Sequence, residues 1–328
     1  MGGNHSGSLG LPSKRPSNEE LEQLYWDVLR KPDTMDVGHV NNTRDPVDRI
    51  RKLLGKYGLP DNASEISVRH FPHSSLRGVV WKVLLRIGRI DVDGYVHLVS
   101  LGPSKDDEKI RSDASRTFAR DGEFIRRVSR EQISRLLNAF VHLKGNRKGA
   151  YIQSMSLLSA PFLYLMPEPE AFDCFRSFLA SEIPEYVRNY AGVREGCKLL
   201  DEFLAIKAPD LHRRLTAHGL HAEHFAFSSI STLNAFPSVS DTVRLWDFEL
   251  AFGAHWAVLF ILARLVIASQ RLLIRGDKGN APLITRDLEE GFGIEASRVI
   301  EEARALSASL DAHLIDRLRV HPKMHIPD

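Results

Sequence analysis

Apolar residues recur along this sequence at intervals of three and four, the spacing that lines one face of an α-helix. The segment 74–87 is an example, with apolar residues at Leu76, Val80, Leu84 and Ile87. We find no alternating apolar and polar runs joined by hairpin turns, and no internal repeat of fixed period. The pattern therefore predicts an all-α fold of roughly a dozen helices without a sheet, and it disfavours a solenoid.

Several of these helices start at recognisable N-terminal signals. Ser17 with Glu20, and Ser129 with Gln132, have the spacing of capping boxes, and Asp45 stands before a proline as an N-cap does. We expect further helices from about residues 151, 169, 194, 209, 240 and 254, and short ones between 285 and 319.

Charge and cysteine content exclude several classes of protein. Lys and Arg number 44 against 42 Asp and Glu, a net charge of +2, so we expect no nucleic-acid partner. Cys174 and Cys197 are too few for a disulfide framework or a zinc site, which fits a reducing, intracellular setting. The N-terminus lacks the apolar core of a secretory signal. Arg264 and Arg271 interrupt the apolar stretch 256–274, which we interpret as a buried helix and not as a membrane span.

Residues 1–16 are rich in Gly, Ser and Pro and have no apolar period, which predicts a disordered tail. Gly2 and Ser6 fit the pattern for N-myristoylation. No neighbouring cysteine or dense basic patch supplies a second anchoring signal, so we favour an unmodified tail and keep lipidation as the alternative.

Signatures of autonomous catalysis are weak in this chain. We find no Walker-type phosphate loop and no G-x-S-x-G nucleophile elbow. Gly291–Gly293 imitates a dinucleotide fingerprint but follows a polar segment, so we interpret it as a loop. Four histidines are close in sequence: His212, His218, His221 and His224. A glycine interrupts them, and we favour a solvated helix face over a metal site. We therefore expect no metal and no active site of its own.

Two short segments carry charged residues at helical spacing. Arg77 and Trp81 lie one turn apart on a predicted helix. Ile110, Asp113 and Arg116 step by three, so Asp113 can restrain the Arg116 guanidinium without burying it. Taken singly, each segment has a plain structural interpretation. In that interpretation the aliphatic part of the Arg77 side chain packs as a stem over the core, and Asp113 forms an exposed ion pair with Arg116.

A third segment follows a basic loop bounded by glycines. Tyr151 and Gln153 stand at a predicted helix start, where we expect side chains to project toward a docked partner. Lys144, Arg147 and Lys148 place positive charge beside them, which can attract an anionic surface that carries a nucleotide. The plain interpretation of Gln153 is a surface amide.

In their order and spacing, the motifs R-x-x-x-W, I-x-x-D-x-x-R-T-F and Y-x-Q resemble the signature of the TBC domain family of GTPase-activating proteins. The resemblance continues at Arg244-Leu245-Trp246-Asp247 and at Gly253, and it covers about residues 76–273. Because the domain nearly fills this short chain, it looks like the compact mitotic-exit and septation-checkpoint branch and not like the long Rab-directed members.

The resemblance implies a single TBC-type helical domain with two helical sub-lobes. It divides the chain into the tail at 1–16, N-terminal helices packing on the domain at 17–70, the TBC domain at 71–275 and a C-terminal helical extension at 276–328.

The resemblance also implies a two-finger mechanism. Arg116 is then the arginine finger and Gln153 the glutamine finger, both acting on a small Ras-superfamily GTPase. That partner carries the GTP and Mg²⁺, so this chain needs no cofactor of its own. An arginine supplied in trans neutralises transition-state charge and is worth about 10³–10⁵ in rate. The residues expected to support the fingers are Arg77, Trp81, Ile110, Asp113 and Tyr151, and those expected to face the partner are Lys144, Arg147 and Lys148.

The branch further implies a larger checkpoint scaffold subunit and a cytoplasmic location at the spindle pole body or another microtubule-organising centre. Departures from the family pattern are Ser154 and Ser156, where Gly and Asn are usual, and Ser229, where an aromatic residue is usual. We expect Ser154 and Ser156 to affect how the Gln153 side chain is presented. We expect Ser229 to leave the core less tightly packed. Both fingers are present, so we prefer an active GTPase activator. The alternatives are a TBC-fold binding module or pseudo-activator that docks without catalysis and, less favoured, a helical adaptor.

Overall fold

The computed structural model describes residues 15–30, 45–65, 74–235, 238–274 and 281–323. Most of the predicted tail, with Gly2 and Ser6, lies outside the described residues. Within the described ranges the chain is helical and contains no β-strand, so the predicted all-α fold is confirmed.

The helices of the first half of the chain are, in order, α1 Asn18–Arg30, α2 Pro46–Tyr57, α3 Leu76–Leu84, α4 Val92–Ser100, α5 Asp107–Arg116, α6 Gly122–Arg127, α7 Arg130–Leu143, α8 Met155–Leu165, α9 Glu168–Ser181 and α10 Pro184–Asn189. Those of the second half are α11 Ala191–Lys207, α12 Pro209–Ala217, α13 Ala222–Phe225, α14 Phe227–Ser231, α15 Val239–Phe252, α16 Trp256–Ile274, α17 Ala281–Glu289, α18 Ala296–Ala308 and α19 Ala312–Val320. A 3₁₀ turn, Gly291–Gly293, separates α17 from α18.

The described residues therefore form nineteen α-helices, more than the dozen expected from periodicity. Four of them, α6, α10, α13 and α14, have six residues or fewer. Helices this short span less than two turns, so they cannot display an apolar stripe that a sequence pattern would reveal.

The capping residues predicted from the sequence form the expected hydrogen bonds at the helix N-termini. The Ser17 amide donates to Glu20 Oε2 at 2.8 Å, and the Glu20 amide donates to Ser17 Oγ at 3.3 Å. Ser129 and Gln132 make the same reciprocal pair at 2.9 and 3.2 Å. Asp45 caps α2 by accepting from the amide of its second residue. These bonds satisfy helix N–H groups that have no partner within the helix.

The helices pack in two groups. In the first, α4, α5, α8 and α9 surround α7. In the second, α12, α13, α14 and α16 surround α11. Helix α15 contacts members of both groups, α8 and α16, and also packs on α2, α3 and α18. The two groups are thus joined along α15, and one helix from each end of the chain, α2 and α18, packs against it.

Helix α16 is the described helix whose length and composition would let it cross a membrane. Its packing accounts for that composition, because it contacts α11, α15 and α18 and is buried for most of its length. Arg264, which interrupts the apolar run, is itself buried and donates from Nη1 to Asn234 Oδ1 at 3.1 Å. The helix lies in the core of the second group.

Ion pairs tie the C-terminal extension to α11 of the second group and to the end of α9 in the first group. Arg317 on α19 donates to Glu202 at 2.7 Å and lies 3.4 Å from Glu195, both on α11. Lys323 pairs with Glu182 at 2.7 Å. These half-exposed pairs orient the extension and contribute little stability individually.

Between these ion pairs, His321 inserts into the core. Its Nδ1 lies 2.5 Å from the Leu318 carbonyl oxygen and its Nε2 2.9 Å from the Tyr186 hydroxyl. These contacts indicate a neutral ring that donates from Nδ1 and accepts at Nε2. Gly192 and Gly196 make room for it, because a Cβ on Gly192 would lie 2.8 Å from the His321 carbonyl oxygen. We call this insertion the C-terminal clasp.

We expect the clasp to make stability fall in weak acid. Burial lowers the pKa of His321 to about 4, although Glu195 opposes the shift. Burial is the main cause that lowers the pKa of His255 to about 3; the charges of Arg319 and Lys323 add to it, and His321 adds to it only when that ring is protonated. Below pH 6.5 both histidines therefore bind protons in the unfolded chain but stay neutral in the folded chain. The free energy of unfolding consequently falls as the pH falls toward 4. From pH 7.5 to 5.5 the free energy of unfolding should drop by about 3 kcal/mol, measured by urea titration.

His321→Asn provides the internal test, because asparagine retains an N–H donor but does not titrate. The variant should lose about half of the pH dependence, whereas His97→Asn, at an exposed position on α4, should keep all of it. Equal pH dependence in His321→Asn and the unmodified protein would contradict the assignment.

Candidate functional site

Helix α5 places the predicted finger arginine at its last residue. Ile110 is fully buried and fixes the helix against the core, and Asp113 is also buried. Arg116 keeps 60% of its side chain exposed while its Nη2 pairs with Asp113 Oδ1. The carboxylate thus restrains the guanidinium without burying it, which is the geometry that the spacing of three predicted.

The second oxygen of the same carboxylate binds the loop before α8. The Tyr151 hydroxyl donates to Asp113 Oδ2 at 2.5 Å. Burial, together with this hydrogen bond, raises the pKa of Tyr151 well above its usual value. Asp113 therefore joins Arg116 on α5 to the loop at Tyr151, two segments that are distant in sequence.

The expectation that the Tyr151 side chain projects toward a partner was wrong, while its supporting role stays a prediction of the resemblance. The sequence placed it at a helix start with its side chain projecting toward a partner. Helix α8 instead begins at Met155, and Tyr151 is only 8% exposed. The physical reason is Asp113, because a buried carboxylate needs donors and the phenol both supplies one and covers it.

Gln153 lies two residues after Tyr151 and is exposed. Its Cα is therefore within about 8 Å of the Tyr151 Cα. Ser156 Oγ donates to the Gln153 carbonyl oxygen at 3.2 Å, and Ser154 is buried at the N-terminal end of α8. Ser156, one of the two serines that depart from the family pattern, thus holds the backbone that carries the amide. Asp113 therefore binds Arg116 directly and reaches the Gln153 segment only through Tyr151, two residues before the exposed amide.

Tyr151→Phe should destabilise the protein by about 2 kcal/mol, because it leaves a buried carboxylate oxygen without its donor. Tyr25→Phe is the matched control. Its hydroxyl donates to a neutral acceptor, the Gly58 carbonyl oxygen, at 3.1 Å. We expect that control to lose only about 1 kcal/mol in urea denaturation. If the two variants lost the same stability, the charge of Asp113 would play no part.

Arg77 and Trp81, which the resemblance expects to support the fingers, form their side-chain hydrogen bonds with Asp247 on α15 and with Ser64. Arg77 Nε donates to both oxygens of Asp247, at 3.0 and 3.1 Å, and Trp81 Nε1 donates to Oδ1 at 2.8 Å. Arg77 Nη1 also contacts Ser64. These bonds join α3 to α15, so the plain interpretation of Arg77 as a stem over the core was wrong. Burial raises the pKa of Asp247, and the charge of Arg77 opposes that rise.

Asp247 belongs to the motif Arg244-Leu245-Trp246-Asp247, and the sequence alone predicted no role for its side chain. A signal was present, because Asp247 is embedded between Trp246 and Phe248 in a buried helix. A carboxylate in such a run needs a buried cation and further donors, and Arg77 with Trp81 at one-turn spacing supplies both.

The basic loop connects α7 to α8 as predicted. Lys144, Arg147 and Lys148 are all exposed. Arg147 Nε donates to the Lys144 carbonyl oxygen at 2.9 Å, and Gly145 and Gly149 take positive φ values of 69° and 78°. The turn thus directs three cations outward, a few residues before Gln153.

Other sequence candidates form no site within the described ranges. No group of three or more His, Cys, Asp or Glu side chains there has the geometry to hold a metal ion. The His221 and His224 rings are 6.1 Å apart. Ser229 is buried in α14, and its hydroxyl has no hydrogen-bond partner among the described groups.

Several known proteins resemble this chain in sequence. The putative mitotic check point protein BUB2 of Dictyostelium discoideum is 35% identical over 315 residues, which cover 94% of this chain and 82% of that protein. Cell division control protein 16 of Schizosaccharomyces pombe is 39% identical over 204 residues, or 61% of this chain and 67% of the relative. The mitotic check point protein BUB2 of Saccharomyces cerevisiae is 31% identical over 300 residues, or 86% and 94%.

Solved structures with the same fold share little sequence with it. The flagellar RabGAP TBC domain of Chlamydomonas superposes with a TM-score of 0.56 at 21% identity, covering 96% of this chain and 98% of that one. The Ypt/Rab-GAP domain of Gyp1p gives 0.63 at 15% identity, covering 89% and 98%. The family model of the Rab-GTPase-TBC domain matches residues 74–273. This chain therefore belongs to the Rab-GTPase-TBC domain family.

Proposed function

We propose that this protein is a GTPase-activating protein that supplies Arg116 and Gln153 in trans to a small Ras-superfamily GTPase. The observation that carries the proposal is the shared anchor at Asp113. One carboxylate oxygen binds the exposed Arg116, and the other binds Tyr151, two residues before the exposed Gln153. A surface arginine and a surface glutamine without a catalytic role would not need a common buried support.

The arrangement suits the chemistry of GTP hydrolysis. The transition state spreads negative charge over the phosphoryl oxygens, and a guanidinium in reach of them neutralises it. The Gln153 amide can donate to the γ-phosphate and accept from the attacking water, which places the nucleophile in line. Asp113 keeps the Arg116 side chain from exploring many rotamers, so less entropy is lost when the finger engages. In this proposal GTP and Mg²⁺ come with the partner.

Single-turnover hydrolysis by a panel of GTP-loaded Ras-superfamily GTPases, with and without this protein, tests the proposal. We expect at least one member to be accelerated by about 10³-fold or more. A member that binds tightly in its GTP form, while its hydrolysis rate stays unchanged, would instead identify this chain as a binding module or pseudo-activator.

The relatives motivate a more specific cellular role. Two of them are named as mitotic check point proteins and one as a cell division control protein. We place this chain in a checkpoint that restrains mitotic exit or septation, acting with a larger scaffold subunit. In this proposal the protein acts in the cytoplasm, at the spindle pole body or another microtubule-organising centre.

Imaging of a fluorescent fusion through mitosis tests this location. The fusion should concentrate at spindle poles, and Arg116→Ala should concentrate there equally, because the finger does not hold the protein in place. Uniform cytoplasmic signal through mitosis would contradict the location and leave the biochemical proposal intact.

A further inference from the structure

Two neighbouring concave regions lie along the first group of helices beside the basic loop. One part, of about 570 Å³, lies between the end of α7, the basic loop and α10. The other, of about 490 Å³, lies between the turn after α3, the end of α7 and α9. Both are lined by Lys144 and Ala180, where they adjoin. We call the two together the basic groove.

The rim of the basic groove is strongly cationic. Its positive side chains include Arg86, Arg89, Lys144, Arg147, Lys148 and Arg188. Arg86 pairs with Asp45 and Arg188 with Glu185, whereas Arg89, Lys144 and Lys148 are exposed and form no ion pair with another described residue. Positive charge of this density beside a concave surface raises the local concentration of an anionic partner.

The acidic residue that lines the groove does not offset this charge. Asp173 is 3% exposed, and both of its oxygens are occupied. One accepts from Arg176 Nε at 2.6 Å and the other from the Asp91 amide at 3.0 Å. The chain as a whole carries a net charge of only +2, so the basic groove is a local feature and not part of a general positive surface.

The groove also has an apolar component. Leu143, at the end of α7, keeps 44% of its surface exposed in the second part. Phe140, Met155 and Val187 line the first part. An exposed leucine between rows of cations indicates a partner that has apolar as well as acidic side chains.

We propose that the basic groove binds an acidic segment of a partner protein in which apolar side chains alternate with carboxylates. In an extended peptide, successive side chains point to opposite sides, so one set can pack on Leu143 while the other reaches the rim. Complementary charge favours a peptide, and concavity disfavours a lipid surface, because a planar bilayer cannot reach the floor of the groove. The proposal does not rest on catalysis by Arg116 and Gln153. Lys144, Arg147 and Lys148, which the resemblance places toward the GTPase, line part of the groove, so its test uses Arg89 and Leu143, which lie outside that loop.

The test uses the full chain and a short fluorescein-labelled peptide in which glutamate alternates with leucine. Fluorescence polarisation should detect binding that weakens as salt is raised, since exposed charges are screened. Arg89→Glu should weaken binding about fivefold to tenfold, and Leu143→Asp about tenfold or more. Arg298→Glu on α18 and Ile206→Asp on α11, both exposed and outside the groove, should change it less than twofold.

Two further peptides and lipid vesicles distinguish an acidic, partly apolar peptide from other occupants of the basic groove. A lysine–leucine peptide and a glutamate–serine peptide should both bind at least tenfold more weakly than the glutamate–leucine peptide. Equal binding of the lysine–leucine peptide would overturn the proposal, as would capture of the protein by phosphatidylserine vesicles without any peptide binding.

A GTPase assay separates this surface from the proposed catalytic one. Arg89→Glu and Leu143→Asp should leave stimulated GTP hydrolysis within twofold of the unmodified protein. A parallel loss of peptide binding and stimulation would show that the groove belongs to the GTPase interface, and the proposal of a separate partner site would then be wrong. Absence of stimulation by the unmodified protein, with peptide binding intact, would refute only the proposed function.

Discussion

Stimulated hydrolysis of GTP should fall about 10³-fold when Arg116 is replaced by alanine, because the guanidinium acts only on charge that develops in the transition state. Ground-state binding of the GTP-loaded partner should change by less than about threefold, since an exposed arginine adds little to affinity outside the transition state. Single-turnover rates at saturating protein measure the first quantity, and titration with a non-hydrolysable GTP analogue measures the second.

Gln153→Ala should give a loss of the same order by a different route. Without the amide, the attacking water is no longer held in line, although the charge-neutralising group remains. The double variant should lose much less than the product of the two single losses, because residues that act as one catalytic unit are strongly non-additive.

Matched controls keep this prediction specific. Arg111→Ala removes an exposed arginine from the same helix, where it pairs with Asp107 at 2.7 Å. Gln23→Ala removes an exposed glutamine from α1. Both controls should retain stimulation within twofold. Formation of a complex with the GDP–aluminium fluoride state of the GTPase adds a second readout, which Arg116→Ala should lose and Arg111→Ala should keep.

The fold was predictable where local chemistry and long apolar periods agree. The capping pairs at Ser17 and Ser129 and the stripe along 74–87 predicted helices that the structure contains. Short helices such as α13 and α14 were not predictable, since their ends are set by tertiary packing and not by a pattern in their own residues.

The candidate site was predictable in its residues but not in its connections. The spacing of Asp113 and Arg116 predicted their ion pair, because both lie on one helix. The burial of Tyr151 under Asp113 and the bond of Arg77 to Asp247 join segments 38 and 170 residues apart. No local period encodes such pairs, so sequence reasoning assigned Tyr151 an exposed position and Asp247 no role.

The second large effect concerns the buried ion pair of Arg77 and Asp247. Asp247→Ala should destabilise the protein by about 3–5 kcal/mol, because it leaves the Arg77 guanidinium buried without its anion. The side chains are only 4% and 7% exposed, so the guanidinium stays largely desolvated after its anion is removed. Trp81 Nε1 loses its acceptor in the same variant. Guanidinium chloride denaturation, with the slope compared between variants, measures the change.

Arg77→Met should be milder and should depend on pH. It leaves Asp247 buried with the hydrogen bond from Trp81, and the carboxyl can escape the cost of an unpaired charge by binding a proton. Loss of the arginine raises the pKa of Asp247 further above its usual value, so stability conferred by the protonated form is lost as the pH rises through that pKa. The deficit relative to the unmodified protein should therefore shrink toward pH 5.

The double variant Arg77→Met with Asp247→Ala distinguishes a structural pair from a catalytic one. Removing both partners avoids an unpaired buried charge, so its deficit should be smaller than the sum of the two single deficits by about 2 kcal/mol or more. At a temperature where it stays folded, it should stimulate GTP hydrolysis nearly as well as the unmodified protein, since the pair joins α3 to α15 and contacts neither finger. Additive deficits would show that the two charges do not stabilise one another. A folded double variant without stimulation would move Arg77 and Asp247 from the scaffold into the catalytic machinery.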